Sequence, residues 1–117
     1  HEGPQTIGTG ATGHMQTSIT PGMITTVEPA IYREGSHGMR TENITVCVED
    51  ITTEFGSFLR FETITLAPID RKLIDKQLLE EKEIIWLNNY HKNVFDALNS
   101  YLSAEEADWL KEQTQAI

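Results

Sequence analysis

Pro68 separates two hydrophobic rhythms that cannot belong to one kind of element, and this change of period constrains the fold of the 117-residue chain most. Before it, β-branched and apolar residues come in short runs divided by turn residues. "MITTVEPAIY", residues 23–32, is one such run, interrupted by Pro29. Proline has no N–H to donate to a ladder, so the strand must end, bulge or lie at an edge there. "REGSHG", residues 33–38, reads as a turn, and "GMRTENITVCVED", residues 38–50, as a second strand. "DITTEFGS", residues 50–57, connects it to a third strand, "FLRFETITLAP", residues 58–68. Strand and turn alternating at short spacing predict an antiparallel meander. Residues 1–22, rich in Gly, Thr and Ser, read as loop.

After Pro68 the period becomes helical. Within residues 80–102, Ile84, Leu87, Val94, Leu98 and Tyr101 fall on one stripe, widened by Tyr90 and Phe95. "SAEE", residues 103–106, has capping-box spacing and predicts a second, shorter helix carrying Trp109 and Leu110. The expected architecture is α+β: an antiparallel β meander over residues 1–69, then a C-terminal helical hairpin over residues 70–117.

Charge narrows the partners. The net charge is −9, with three basic and eight acidic side chains in residues 1–69 and six and ten in residues 70–117. Nucleic acid and anionic membrane surfaces need a positive footprint, so neither is expected as a partner. No apolar run approaches the ~20 residues that span a bilayer. The single cysteine, Cys47, excludes an internal disulfide framework and fits a reducing compartment, so a cytoplasmic location is expected. The chain opens on His1 without a methionine and is expected to be a piece of something longer.

Residues 38–50 hold the least ordinary pattern. Alternation puts Arg40, Glu42, Ile44, Val46 and Val48 on one face, and Met39, Thr41, Asn43, Thr45 and Cys47 on the other. The more apolar face, expected to look into a core, therefore begins with an arginine and a glutamate. A buried carboxylate is costly unless it is paired or bound to a metal. Two readings of Glu42 stay open: a structural ion pair with Arg40, or a functional ligand. Glu28, at a strand end before Pro29, reads by itself as a solvated charge. Two strands joined by a short turn can bring the two glutamates together, where they repel unless a cation or a shared proton relieves them. Carboxylate oxygens suit hard divalent ions such as manganese.

The remaining groups say less. His1 lies in "HEGP", whose Gly-Pro can fix the imidazole. His14, His37 and His91 lack metal-ligand spacing with one another, and His91 reads as a helix-surface or partly packed residue. Cys47 reads as a packed thiol. "GTGATG", residues 8–13, has no lysine and no helix pattern after it, which argues against a phosphate loop.

Taken in order, "HEGP", "PGMITTVEPAIYREGSHGMRTEN", "FETITLAPI" and "WLNNYH" resemble the C-terminal end of the Xaa-Pro aminopeptidases, the aminopeptidase P branch of the pita-bread metallopeptidases (peptidase family M24). The likeness runs from His1 to the closing "EQTQAI". It implies half of a pita-bread fold and a dinuclear centre, usually manganese with zinc or cobalt as alternatives, held by two aspartates, one histidine and two glutamates. Glu28 matches the glutamate that binds one metal and exchanges a proton with the nucleophilic water. Glu42 matches the glutamate that bridges both metals. Arg40 matches an arginine holding acidic groups around the site. His1 matches a histidine that contacts substrate and helps stabilise the tetrahedral intermediate. The implied substrates are peptides with proline second, and the implied assembly is a homodimer through the C-terminal helices; Trp86, Tyr101 and Trp109 either form that interface or cover the strand meander.

Two positions depart from the family pattern: Ala30 replaces the usual glycine after "EP", and His37 stands where an aromatic or aliphatic residue is common. The two aspartates and the metal-binding histidine are expected upstream of His1, so the isolated 117 residues are expected to be inactive. A prolidase-type dipeptidase of the same fold and a non-catalytic pita-bread binding module are the alternatives. The four residues His1, Glu28, Arg40 and Glu42 together argue against the second.

Overall fold

The structure, a computed structural model, describes residues 17–117. The chain forms two compact units, one ending at Thr65 and the other beginning at Leu66.

The first unit is antiparallel. Strand β1 is Ile24–Val27, β2 Ala30–Arg33, β3 His37–Arg40, β4 Asn43–Thr53 and β5 Gly56–Thr63. A three-stranded sheet has the order β1-β4-β5, and β2 and β3 pair separately as a hairpin inserted between β1 and β4. The run expected as one strand over residues 38–50 is therefore two strands, β3 and β4, interrupted at Thr41 and Glu42. Pro29 is the physical reason. Val27 faces Asn43 and Ala30 faces Arg40, so Glu28–Pro29 lies opposite Thr41–Glu42 in the same register. Pro29 accepts a hydrogen bond from the Thr41 N–H (3.3 Å) but has no N–H to return, so half of that ladder pair is missing. The loop expected over residues 50–57 shrinks to Glu54 and Phe55, because β4 and β5 extend to meet a tight turn in which Gly56 takes φ +134°.

The buried face of β4 is the opposite of the expected one. Asn43, Thr45 and Cys47 are buried, while Ile44 remains 42% exposed. Polarity did not prevent this, because Thr45 Oγ1 donates to the Thr25 carbonyl (3.1 Å) and Cys47 behaves as a small hydrophobe.

The second unit is built on helices α1 (Glu81–Leu98) and α2 (Ala104–Gln113). Each begins with a capping box, Glu80 with Glu83 and Ser103 with Glu106. Leu87, Tyr90, Val94 and Leu110 form the core, with Ile69, Ile74, Phe95, Leu98, Leu102 and Ile117 packed against it. Tyr101 leaves the predicted stripe and is 86% exposed, because α1 ends at Leu98 and a 3-10 turn, Asn99–Tyr101, rotates it away. Trp109 is likewise exposed, and its neighbour Leu110 enters the core instead.

The segment 66–69, grouped with the sheet by its sequence, belongs to the helical unit. Two bonds hold it there. The Tyr90 hydroxyl donates to the Ala67 carbonyl (2.6 Å), and the Ile69 N–H donates to Nε2 of His91 (3.1 Å). His91, expected as a helix-surface or partly packed residue, is fully buried. Its Nδ1 is buried without a hydrogen-bond partner among the described residues.

Burial, aided by the Arg71 guanidinium, holds the His91 imidazole below its ordinary value of 6.5. A lowered folded-state value means that the unfolded chain binds the proton more readily, so this contribution is complete above pH 6.5 and is lost as the pH falls through the folded-state value. Urea unfolding of the chain should show a midpoint that drops between pH 7.5 and pH 5. His91→Ala should lower the midpoint at pH 7.5, by about 2 kcal/mol of stability, and remove most of that pH dependence. A pH dependence unchanged by His91→Ala would refute the assignment.

Candidate metal and catalytic site

The interruption at Pro29 creates the most distinctive cluster in the first unit. The Cys47 N–H bonds the Met23 carbonyl (2.8 Å) and the Thr41 N–H bonds that of Pro29, so hydrogen-bonded pairs fall on odd-numbered residues of the first chain segment. Glu28 therefore faces Glu42 at a non-hydrogen-bonded position, where side chains of opposing strands approach most closely. Two like charges there would repel, and Arg40 lies on the same face to neutralise them.

Its guanidinium reaches both. Nη1 of Arg40 lies 3.6 Å from Oε2 of Glu28, and Nε lies 3.4 Å from Oε2 of Glu42. Thr26 Oγ1 donates to Oε1 of Glu28 (2.8 Å), which fixes the rotation of that carboxylate. Arg40 Nη1 also donates to the Tyr32 hydroxyl at 3.5 Å. The guanidinium is held more firmly in its charged form, first by the Tyr32 hydroxyl and then by Glu42 and Glu28. All of these groups are partly open to water; Glu42, expected to be buried, keeps 35% of its side chain exposed.

Glu28, Arg40 and Glu42 are thus brought together as the sequence predicted. His1 lies outside the described residues. Tyr32 and Thr26 were missed. The signal for both was register: once Ala30 is set opposite Arg40, Thr26 and Tyr32 fall on the face that carries Glu28.

Two carboxylates converge on one guanidinium. That donor set of hard oxygens fits divalent cations. It is also incomplete, since no group of three or more His, Cys, Asp or Glu side chains suited to a metal exists among the described residues. These residues fit part of a metal site.

An antiparallel sheet followed by two helices matches the fold of the pita-bread aminopeptidases. The family model described as the C-terminal region of peptidase M24 matches residues 57–117, and the chain belongs to this family. It is 40% identical to "Probable Xaa-Pro aminopeptidase P" of Ajellomyces dermatitidis, over 100% of this chain and 20% of the relative. The protein of the same name in Talaromyces marneffei is 38% identical, over 100% of this chain and 18% of the relative. Among solved structures, X-prolyl aminopeptidase of Caenorhabditis elegans, described as a cytosolic enzyme with a di-nuclear active site, superposes with TM-score 0.83 at 36% identity, covering 100% of this chain and 19% of that one. The chain spans about one fifth of the length of the curated relatives it matches.

The charge balance at the break is directly testable. Arg40→Met should lower the thermal midpoint of the sheet unit by removing the guanidinium that reaches both Glu28 and Glu42. Adding Glu42→Gln to that variant should recover most of the loss, because only one carboxylate remains. A double variant as unstable as Arg40→Met alone would show that Arg40 acts through something other than these two charges.

Proposed function

We propose that this chain supplies two metal-binding glutamates and a substrate-side histidine to a Xaa-Pro aminopeptidase, which hydrolyses the bond before a proline in second position of a peptide. The reading is carried by the convergence of Glu28 and Glu42 on Arg40 at the Pro29 break. It is supported by the identity of the whole chain to proteins that bear this name.

Glu28 and Glu42 would hold a pair of divalent ions, manganese first and zinc or cobalt as alternatives, together with two aspartates and a histidine supplied from outside these residues. When bound, such ions lower the pKa of water and stabilise the charge that develops in the transition state. Glu28 takes the proton of the attacking water and passes it to the leaving nitrogen, with Thr26 fixing the orientation of its carboxylate. Arg40, within reach of both carboxylates, keeps them correctly aimed. His1, matching the substrate-side histidine of the family, would stabilise the negative charge that develops at the scissile carbonyl. The enzyme acts in the cytoplasm and as a homodimer, for which exposed Trp86, Tyr101 and Trp109 supply apolar contact area.

Four measurements test this. The isolated 117 residues, given manganese and a Xaa-Pro peptide, should show no turnover, because they hold two of the five expected ligands. In the complete enzyme, Glu28→Gln should lower kcat by roughly 10²–10⁴-fold, the range for a lost general acid–base group. Glu42→Gln should lower bound metal, counted by elemental analysis, as well as rate. A Glu28→Gln enzyme with normal kcat, or a Glu42→Gln enzyme with full metal content, would overturn the assignment. Sedimentation of Trp109→Ser against the unmodified enzyme reads the dimer; an unchanged dimer would remove that residue from the interface.

A further inference from the structure

We propose that Gly38 is a positioning residue of this site: its bare Cα seats the ring of Tyr32, which puts the phenol hydroxyl within reach of Arg40. Tyr32 and Gly38 are directly opposed in the β2–β3 hairpin, one pair removed from Ala30 and Arg40. This is a non-hydrogen-bonded position of the ladder, where facing side chains come closest. A Cβ added at Gly38 would stand 2.7 Å from Cδ1 and 3.1 Å from Cε1 of Tyr32, while the next nearest atom, the Ile31 carbonyl oxygen, is 3.9 Å away. The ring therefore lies across the space that any other residue at position 38 would fill. An aromatic laid over a glycine on the facing strand is a recognised way of pinning a sheet edge.

The placement has a consequence for Arg40. The bond from its Nη1 to the Tyr32 hydroxyl is 3.5 Å long, at the outer limit of a hydrogen bond, so a ring pushed outward by a methyl group loses it. Tyr32 is 68% exposed and can swing into water at little cost. The backbone places no demand for glycine here, since the positive-φ glycines among the described residues are Gly22, Gly35 and Gly56. Conformational freedom thus does not explain Gly38, and alanine suits a strand better than glycine does. Gly38→Ala should consequently leave folding intact and disturb only the Tyr32–Arg40 contact, separating positioning from stability.

The proposal rests on the reading of Arg40 as part of a peptidase site, and the test keeps the two apart. In the 117-residue chain, Gly38→Ala should abolish the NOE between the Tyr32 ring and residue 38 and shift the Arg40 Nε–H resonance, with an unchanged or slightly raised thermal midpoint. In the complete enzyme, Gly38→Ala and Tyr32→Phe should each lower kcat/KM by about tenfold, the loss of one charge-assisted hydrogen bond. The double variant should be no worse than either single one, because both changes remove the same contact. An Arg40 resonance that does not move, or single effects that multiply in the double variant, would overturn the role of Gly38. An unmodified enzyme that fails to cleave Xaa-Pro peptides would refute the functional reading while the NMR comparison still decides the proposal.

Discussion

The candidate site depends on an absent hydrogen. Pro29 cannot return the bond it accepts from Thr41, and the ribbon that would otherwise run unbroken through β1–β4 and β2–β3 opens there. The opening leaves Glu28 and Glu42 opposite each other in register but outside the strands. Within a continuous sheet, two facing carboxylates would be a defect. At a break their oxygens converge on one guanidinium. Arg40 is the counterweight, and Thr26 and Tyr32 keep the carboxylate and the guanidinium from turning freely.

The helical unit works by different physics. Its small apolar core is closed by polar bonds that a bare hydrophobic pattern does not announce: Tyr90 to Ala67, His91 to Ile69, Arg71 to the Glu112 carbonyl and Asn88 to the Ile117 N–H. Each fastens a non-helical segment, at the beginning or end of the unit, to the helices. The buried imidazole must stay neutral to accept its bond, which makes it the one group in this core sensitive to mild acid.

Where sequence patterns succeeded, the cause was local. Pro29 acts through its own missing N–H group, the Ser103 and Glu106 box through residues three apart, and the α1 stripe through a period carried by every turn, whereas the third strand, expected to run to Pro68, ends at Thr63. Where they failed, a non-local partner decided. Thr45 could be buried because the Thr25 carbonyl accepts its hydroxyl, which reversed the expected faces of β4. His91 could be buried because a backbone N–H twenty-two residues away meets it. Tyr101 fell off the stripe because the helix ended three residues before it.

The sequence by itself therefore determined the class of fold, the cap of the second helix, the resemblance to a peptidase family and the candidacy of Glu28, Arg40 and Glu42, all of which rest on short-range chemistry or on ordered motifs. Only the tertiary structure decided that the two glutamates face each other across an interrupted ladder, that Tyr32 completes the hold on Arg40, and that Gly38 stands beneath its ring. Those facts follow from strand register, and register is set by pairing between segments that no single stretch of sequence contains.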